Sequence, residues 1–434
     1  MVVYLPMSRT VSFGDNYVRR LVDDELDQVF PMLPAVLLDG PKGVGKTATA
    51  LQRSRTTRRL DNAADRAVIE ADPLVIGSDA PPVLIDEWHR VPPVLDAVRQ
   101  LVDRDLTGGR FLLTGSPPAA QTHSGAGRIS TVRMRPLSLY ERGVGLPTVS
   151  FTELLSGARP KVRGTSPLGL VDYVDEIIAG GFPGMRHLTG RALNLQLDSY
   201  LDRIVDHDLR QAGYTVRRPA ALYAWMRAYA AATSTTASWE KVRDAATAGV
   251  SNKPAKSTVE NYTDLLTMLR ILDPIDAWLP SMNHLSRLNQ GPKHQMADPA
   301  LAVRLLGRTR RHLLEGVEGA IQVPRDGTLL GNLFESLAAL SVRTFAQACE
   351  SRTYHLRTMG GRQEIPFIVE GPEGVLAFEV KLSSSIGDRD VQHLHWLKGQ
   401  LGNDLLDAVV LHTGPEAYRR RDGIAVIPLE LLGP

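Results

Sequence analysis

The sequence predicts an α/β protein whose N-terminal part is a parallel sheet covered by helices. Three short apolar segments, at residues 35–38, 83–85 and 111–113, have the length of strands. Polar intervals long enough to form helices separate them. Strand and helix signals that alternate in this way are typical of parallel sheets with helices on both faces.

Length and composition indicate several globular domains. The chain has 434 residues, of which 43% are hydrophobic and 23% are charged, and its mean hydropathy is −0.12. A chain of this length is too long for one ordinary core. The apolar runs are strand-sized, so no membrane-spanning helix is predicted. The N-terminus has no secretory pattern, and we expect a cytoplasmic protein.

Charge and cysteine content do not indicate a particular partner. Cys349 is the single cysteine, which excludes an internal disulfide and a site built from several thiolates. The formal net charge is only +2. Arginines cluster at residues 53–59, 304–311 and 419–421. Such clusters are usually solvated surface, although any of them could follow a nucleic-acid backbone.

A phosphate-binding motif follows the first predicted strand. Its sequence fits G-x-x-x-x-G-K-S/T, and a helix-length segment comes after it. Glycines allow backbone N–H groups to surround phosphates, and the helix adds its positive N-terminal end. Lys46 is expected to reach the β and γ phosphates of ATP, Thr47 to coordinate Mg²⁺, and Lys42 to face solvent. The predicted nucleotide-binding residues are Gly40, Pro41, Lys42, Gly43, Val44, Gly45, Lys46 and Thr47.

Two adjacent carboxylates end the second predicted strand. Asp86, at the strand tip, is expected to hold Mg²⁺, and Glu87 to polarise the attacking water as general base. Such a pair is usually surface charge, but behind a matched P-loop it predicts ATP hydrolysis. Ser116, or less readily Thr114, could bond the γ-phosphate or the attacking water. The alternative is that both hydroxyls only cap a turn.

A loop and a mostly helical region follow the predicted sheet. Residues 156–167 are rich in Gly, Pro and Arg and are expected to form a linker or an exposed loop. Residues 169–235 are mostly helical in pattern. Two glycines before a proline, at residues 180–183, must interrupt that helical pattern.

A winged helix-turn-helix is predicted downstream. Ser257 is expected to cap a helix that carries Glu260 at its third position. Short strands are expected around residues 271–275 and 293–296. Such a unit could contact DNA or RNA, and the alternative is a helical lid that contacts neither.

The C-terminal part predicts a third α/β unit. Helices are expected at residues 331–342 and 388–401, and strands at residues 364–369, 375–380 and 408–411.

Several motifs together carry a family resemblance. The P-loop is followed by DEWHRVPP at residues 86–93, FLLTGS at 111–116, GRI at 127–129, PLSLYE at 136–141 and GGFP at 180–183. Later motifs are KHQMADP at residues 293–299, GNLFE at 331–335 and FEVK at 378–381. Over nearly its whole length the chain resembles the bacterial and archaeal AAA+ ATPases that are similar to origin-recognition ATPases and carry an uncharacterised C-terminal domain.

The resemblance implies roles for individual residues. Ser116 would be the polar sensor of the nucleotide, and Arg128 would be a γ-phosphate arginine. His89 departs from the glutamine that such proteins usually carry after the acidic pair. The expected domains are an AAA+ core at residues 1–155, a helical lid or linker at 156–218, a winged helix at 219–310 and a restriction-endonuclease-like domain at 320–434.

The expected C-terminal domain carries part of a nuclease-like site. Glu379 and Lys381 end an apolar strand and are similar to the E-x-K half of restriction-endonuclease-like sites. Glu335 and Glu364 could add carboxylates. Pro366 stands where related proteins have aspartate, and it offers no ligand atom. We therefore expect a degenerate domain that does not cut nucleic acid.

Three functions are compatible with these patterns. The first is an ATPase that drives a conformational change in a module acting on nucleic acid or on a protein partner. The second is an ATP-binding regulatory or scaffold protein with negligible turnover, and the third is an ATP-stimulated nuclease. The sequence leaves the oligomeric state open.

Overall fold

A computed structural model describes residues 17–115, 127–211, 214, 216, 218–247, 255–279, 291–315 and 327–434. The chain divides between Met134 and Arg135 into two units.

The first unit is a parallel sheet with helices on both faces, as the sequence predicts. Its five strands lie in the order β2-β3-β4-β1-β5, and every neighbouring pair is parallel. The elements are α1 (Leu21–Val29), β1 (Ala35–Asp39), α2 (Lys46–Leu51), β2 (Thr56–Arg59), α3 (Ala63–Ala71), β3 (Val83–Asp86), α4 (Pro93–Arg104), β4 (Phe111–Thr114) and β5 (Ser130–Arg133).

Alternate residues of the central strand β1 enter two different cores. Val36 and Leu38 join Leu26 of α1 in one core, and Ala35 joins Val98 of α4 in the other. Successive side chains of a strand point to opposite faces of the sheet, so both faces of β1 are buried. This explains why the strands are continuous apolar runs in the sequence.

The second unit contains most of the helices and a second sheet. The helix α14 spans 22 residues, and no helix in the described ranges is long and apolar enough to cross a membrane. Its elements are β6 (Val149–Ser150), α5 (Phe151–Leu155), β7 (Gly164–Thr165), α6 (Leu170–Ala179), α7 (Gly190–Arg203), α8 (Leu209–Gln211), α9 (Pro219–Ala231), α10 (Trp239–Ala246), α11 (Lys256–Met268), α12 (Pro299–Leu305), α13 (Arg310–Leu314), α14 (Gly327–Ala348), β8 (Arg352–Arg357), β9 (Glu364–Gly371), β10 (Gly374–Lys381), α15 (Gln392–Leu401), β11 (Leu405–His412), β12 (Glu416–Arg419), β13 (Ala425–Pro428) and β14 (Leu432–Gly433).

The sheet of the second unit is mixed. Its strand order is β7-β12-β13-β11-β10-β9-β8. The central strands β10, β11 and β13 are parallel neighbours, whereas β8, β9, β12 and β7 add antiparallel pairs at the two sides. A separate two-stranded sheet pairs β14 with β6 in parallel.

The boundary between the units differs from the predicted one. The AAA+ core was expected to extend to residue 155, but residues 135–155 belong to the second unit. There β6 pairs with the C-terminal strand β14, and Phe151 of α5 stacks on Phe378 with ring centroids 5.8 Å apart. The expected linker at 156–167 contains β7, which forms an edge of the mixed sheet. These pairings join residues far apart in the chain.

Local details of the expected winged helix also differ. The helix α11 begins at Lys256 after Ala255, which makes no side-chain capping bond, so Ser257 lies inside the helix and does not cap it. The two expected strands are reduced to the isolated antiparallel bridges Leu272↔Met296 and Ile275↔Lys293.

The GGFP and ADP motifs meet in a buried polar contact of the second unit. The backbone N–H of Gly181 donates to Oδ2 of Asp298 over 2.7 Å, and the C=O of Gly181 accepts from Leu137 N over 2.7 Å. The guanidinium of Arg142 lies 3.8 Å from Asp298, and both side chains are fully buried. These motif residues therefore hold the helices of this unit together.

Candidate nucleotide site

The P-loop connects the carboxyl end of β1 to the first residue of α2. Gly45 precedes α2 with a φ of 104°, a conformation that glycine adopts without strain. Gly40 approaches the neighbouring backbone so closely that a Cβ there would lie 2.4 Å from the carbonyl oxygen of Met134. Both positions therefore require glycine. The loop places the free N–H groups of the start of α2 where an anion can accept from them.

Lys46 is buried within this loop. Its Nζ donates to the carbonyl oxygens of Gly40 and Pro41 over 2.6 and 3.0 Å. Burial lowers its pKa to about 8, although the negative charges of Glu87 and Asp39 act in the opposite direction. The ammonium is bonded to neutral carbonyls, so it can be drawn to an anionic ligand.

Asp86 is the central acceptor at the sheet edge. The hydroxyl of Thr47 donates to its Oδ1 over 2.7 Å, and the hydroxyl of Thr114 makes a short hydrogen bond to the same oxygen. Asp86 and Thr114 are register partners on β3 and β4. Because the strands are parallel, their carboxyl ends lie at one edge of the sheet together with the P-loop.

The residues at this edge fit a magnesium ion. Mg²⁺ prefers hard oxygen ligands and is typically held in nucleotide sites by one or two protein groups together with phosphates. Thr47 and Asp86 offer a hydroxyl and a carboxylate in direct contact. This donor set, next to a phosphate-binding loop, is the one that P-loop proteins use for the ion.

Glu87 has an unusual backbone conformation. Its φ is 57° and its ψ is 41°, the left-handed region that a residue other than glycine seldom adopts. Its Oε2 lies 3.4 Å from Nε2 of His89. Burial raises the pKa of Glu87, and the positive charge of Lys42 opposes the shift. Lys42, expected to face solvent, is only partly exposed and acts electrostatically on Glu87.

The predicted sensor residues have different outcomes. Ser116 lies outside the described residues. Arg128 pairs with Asp103 over 2.6 Å, and both side chains are about half exposed at 44% and 52%. Arg133 of β5 instead pairs with Asp39, the last residue of β1, over 3.3 Å, and its charge acts on Lys46. The structure thus adds Arg133 to the groups around the P-loop.

The carboxylates of the expected nuclease-like site lie close to lysines in the second unit. Glu379 is 3.4 Å from Lys381, and burial raises its pKa to about 7 despite that lysine. Glu335 and Glu364 both contact Lys293, the first residue of the KHQMADP motif, a contact that the sequence did not predict. Within the described ranges, no group of three or more His, Cys, Asp or Glu side chains is arranged to hold a metal ion.

Comparison with known families assigns the P-loop region. Residues 33–142 match the family described as AAA domain. This region of the chain is thus similar to AAA domains. Residues 170–312 and 330–432 match two families described as domains of unknown function, DUF8612 and DUF4143. The α/β fold with its parallel N-terminal sheet is therefore confirmed, and the similarity to AAA domains supports nucleotide binding at the P-loop.

Similar proteins add little on function. Two uncharacterized proteins, one of Mycobacterium bovis and one of Mycobacterium tuberculosis, are each 26% identical over 378 residues, which are 85% of this chain and 74% of the relative. Among solved structures, the Walker-type ATPase PABY2304 of Pyrococcus abyssi has a TM-score of 0.40 and 17% identity, covering 65% of this chain and 94% of its own. The ORC2 protein of Aeropyrum pernix, in ADPNP and ADP complexes, has a TM-score of 0.31 and 15% identity, covering 75% and 98%. Both TM-scores are too low to establish a common fold.

Three residues near the sites were missed or ranked low from the sequence. Thr114 is the last residue of β4, as Asp86 is of β3, so the strand ends alone could have raised its rank. Arg133 ends β5 beside Asp39, a register that requires knowledge of the strand order. Lys293 begins the KHQMADP motif, but its pairing with Glu335 and Glu364 has no local signal, because these partners lie on distant elements.

Replacing Thr114 by valine should destabilise the protein by about 1–3 kcal/mol, because the buried carboxylate of Asp86 loses a hydrogen bond. The midpoint of urea unfolding measures the change. Thr131→Val is the matched control, since Thr131 is an exposed residue of β5. Equal midpoints for the two variants would contradict the importance of the Thr114 hydroxyl.

Replacing Lys46 by methionine should change how the stability of the nucleotide-free protein depends on pH. The pKa of Lys46 falls from 10.5 to about 8 on folding, so the wild-type protein becomes more stable as pH rises between these values. Methionine does not titrate, and the wild-type protein should therefore gain at most about 3 kcal/mol relative to the variant over this range. Urea unfolding at neutral and alkaline pH measures the gain. A pH-independent difference would refute the shifted pKa.

Proposed function

We propose that residues 33–142 bind Mg-ATP and hydrolyse it. The observation that carries the proposal is the 2.7 Å hydrogen bond between Oγ1 of Thr47 and Oδ1 of Asp86, beside a buried Lys46. A hydroxyl, a carboxylate and a lysine converge at the edge where the parallel strands end. P-loop proteins use these groups to bind a nucleoside triphosphate with its metal ion.

Each group has a defined task in this proposal. Lys46 would leave the carbonyls of Gly40 and Pro41 and donate to phosphate oxygens. Thr47 and Asp86 would hold the magnesium ion through one oxygen each, and Thr114 would keep the Asp86 carboxylate oriented. The bound ion would neutralise negative charge on the phosphates.

Glu87 is the proposed general base. It follows Asp86, the proposed metal ligand, directly, and its backbone is in the left-handed conformation. A carboxylate there can accept a proton from the attacking water, while its neighbour remains with the metal. Burial raises the pKa of Glu87, so hydrolysis should decline on the acidic side as this carboxylate becomes protonated.

Lys46→Ala should abolish ATP binding, whereas Glu87→Gln should bind ATP and lose turnover by about 10²–10⁴-fold, because the amide retains the shape and cannot accept a proton. Nucleotide binding and phosphate release are measured in parallel. Glu70→Gln is the control, since Glu70 is an exposed residue of α3. Wild-type hydrolysis in both site variants would refute the proposed ATPase site. Binding without measurable turnover in the wild-type protein would favour the regulatory function.

Arg133 is proposed as the arginine that contributes to the phosphate site, in addition to the Arg128 that the family resemblance implies. Arg133→Ala should lower phosphate release at least about tenfold by removing a positive charge close to the bound phosphates. Arg128→Ala tests the second arginine directly. Arg104→Ala, an exposed residue of α4, is the control. If only Arg128→Ala lowered phosphate release, Arg128 and not Arg133 would be the arginine of the phosphate site.

We also propose that residues 219–310 pass the nucleotide-driven conformational change on to DNA or RNA, or to a protein partner. The helix α11 supports nucleic-acid contact, because Lys256 at its first position is 82% exposed. The order of α9, α10 and α11 followed by antiparallel bridges is that of a winged helix.

Binding of this region to DNA or RNA should weaken steeply as salt rises, since phosphate contacts release counterions. Lys256→Glu should weaken it further, by about tenfold, whereas Lys398→Glu on the exposed face of α15 should not. Fluorescence anisotropy with labelled oligonucleotides at several salt concentrations measures both effects. Salt-independent binding, or equal effects of the two variants, would favour a protein partner.

A further inference from the structure

Lys293 lies fully buried between two carboxylates of the second unit. Its Nζ is 2.9 Å from Oε1 of Glu335 on α14 and 3.3 Å from Oε1 of Glu364 on β9, and its side chain is only 1% exposed. Burying an ammonium is costly unless it is paired and hydrogen-bonded. Burial by itself lowers the pKa of Lys293, but the two carboxylates outweigh it and raise the pKa. Lys293 is therefore a permanent cation at this position.

The backbone fixes the position of this ammonium. Lys293 N donates to the carbonyl oxygen of Ile275 over 2.8 Å, and Ile275 N donates back to Lys293 O over 2.9 Å. The next residue, His294, donates its backbone N–H to the carbonyl oxygen of Thr235 over 2.8 Å. The backbone that carries Lys293 is held by these hydrogen bonds. The side chain therefore starts from a fixed position beside the carboxylates, unlike that of a surface lysine.

When all of its carboxylates are ionised, the charges of this cluster balance without any added ion. Three carboxylates, those of Glu335, Glu364 and Glu379, face three cations. Lys293 contacts the first two, Arg357 lies 3.5 Å from Glu364, and Lys381 lies 3.4 Å from Glu379. A divalent cation entering this cluster would meet the ammonium of Lys293 at close range. Repulsion between like charges a few ångströms apart in a partly desolvated site weakens binding by about a hundredfold or more.

We propose that the ammonium of Lys293 fills the cation position of this carboxylate cluster, so that the second unit holds its carboxylates together without a divalent metal. Carboxylate oxygens are the ligands that Mg²⁺ and Mn²⁺ prefer. The identity of residue 293 then decides which cation the cluster holds. A neutral side chain there should convert an internal ion-pair cluster into a site for a divalent cation. This role does not depend on ATP hydrolysis.

The test uses the full chain without nucleotide and Mn²⁺ as the probe. Lys293→Met keeps most of the side-chain volume and removes the charge, and Lys398→Met is the control at an exposed lysine. Mn²⁺ binding is measured by electron paramagnetic resonance, and thermal unfolding is followed with and without Mn²⁺. We expect Lys293→Met to bind Mn²⁺ at least about a hundredfold more tightly than the wild-type protein and to be stabilised by it. The wild-type and Lys398→Met proteins should not respond.

A second substitution locates the site. Adding Glu335→Gln to Lys293→Met should abolish the gained binding, whereas a signal from the P-loop would persist. If Lys293→Met is unfolded without metal, Mn²⁺ should restore its circular dichroism spectrum. No gain of binding and no rescue by Mn²⁺ would overturn the proposal. It would also be overturned by Mn²⁺ binding to the wild-type protein that Glu335→Gln removes.

Discussion

An ionised group that is removed from water must be hydrogen-bonded or paired, and this requirement governs the packing inside each unit. Asp86, Asp298 and Lys293 are each almost entirely buried. Each is met by groups from other elements, because an unpaired buried charge would cost several kcal/mol of the roughly 5–15 kcal/mol that stabilise a typical domain. The positions of these partners fix strand ends, helix ends and loops.

In the first unit, the atoms that pair with one another are also those proposed to bind the nucleotide and its metal ion. Thr47 and Thr114 satisfy the buried carboxylate of Asp86, and Thr47 is also the residue that ends the P-loop motif. The hydrogen bonds of Lys46 lack the opposite charge of an ion pair, because their acceptors, the carbonyl oxygens of Gly40 and Pro41, are neutral. The carboxylate of Asp86 is thus fixed by hydrogen bonds, whereas the ammonium of Lys46 donates to neutral carbonyls. An ammonium in this position can bind a phosphate ligand. The residues that stabilise this edge of the sheet are thus also the residues of the proposed nucleotide site.

In the second unit, pairing stabilises the fold. The motif residues Gly181 and Asp298 bond directly to each other, and Arg142 joins them. Lys293 belongs to the same segment as Asp298 and pairs with Glu335 and Glu364. Sequence motifs that resemble parts of a functional site here form contacts between elements of the fold. The carboxylates of the expected nuclease-like pattern are engaged in ion pairs here.

Sequence by itself determined the features that depend on local order. The P-loop with its glycines, the strands at β1, β3 and β4 and the acidic pair at Asp86 and Glu87 are all written in short contiguous segments, since backbone conformation and strand burial leave local patterns. The long helix α14 and the strands β9, β10 and β11 were also expected for this reason.

Only the tertiary structure decided which distant groups meet. The pairing of Arg133 with Asp39 depends on strand order, and the role of Lys293 depends on three elements packing together. The pairing of β6 with β14 and of β7 with β12 moved the unit boundary away from the expected one. No local pattern encodes such contacts, because they are set by register and packing between segments that hundreds of residues can separate.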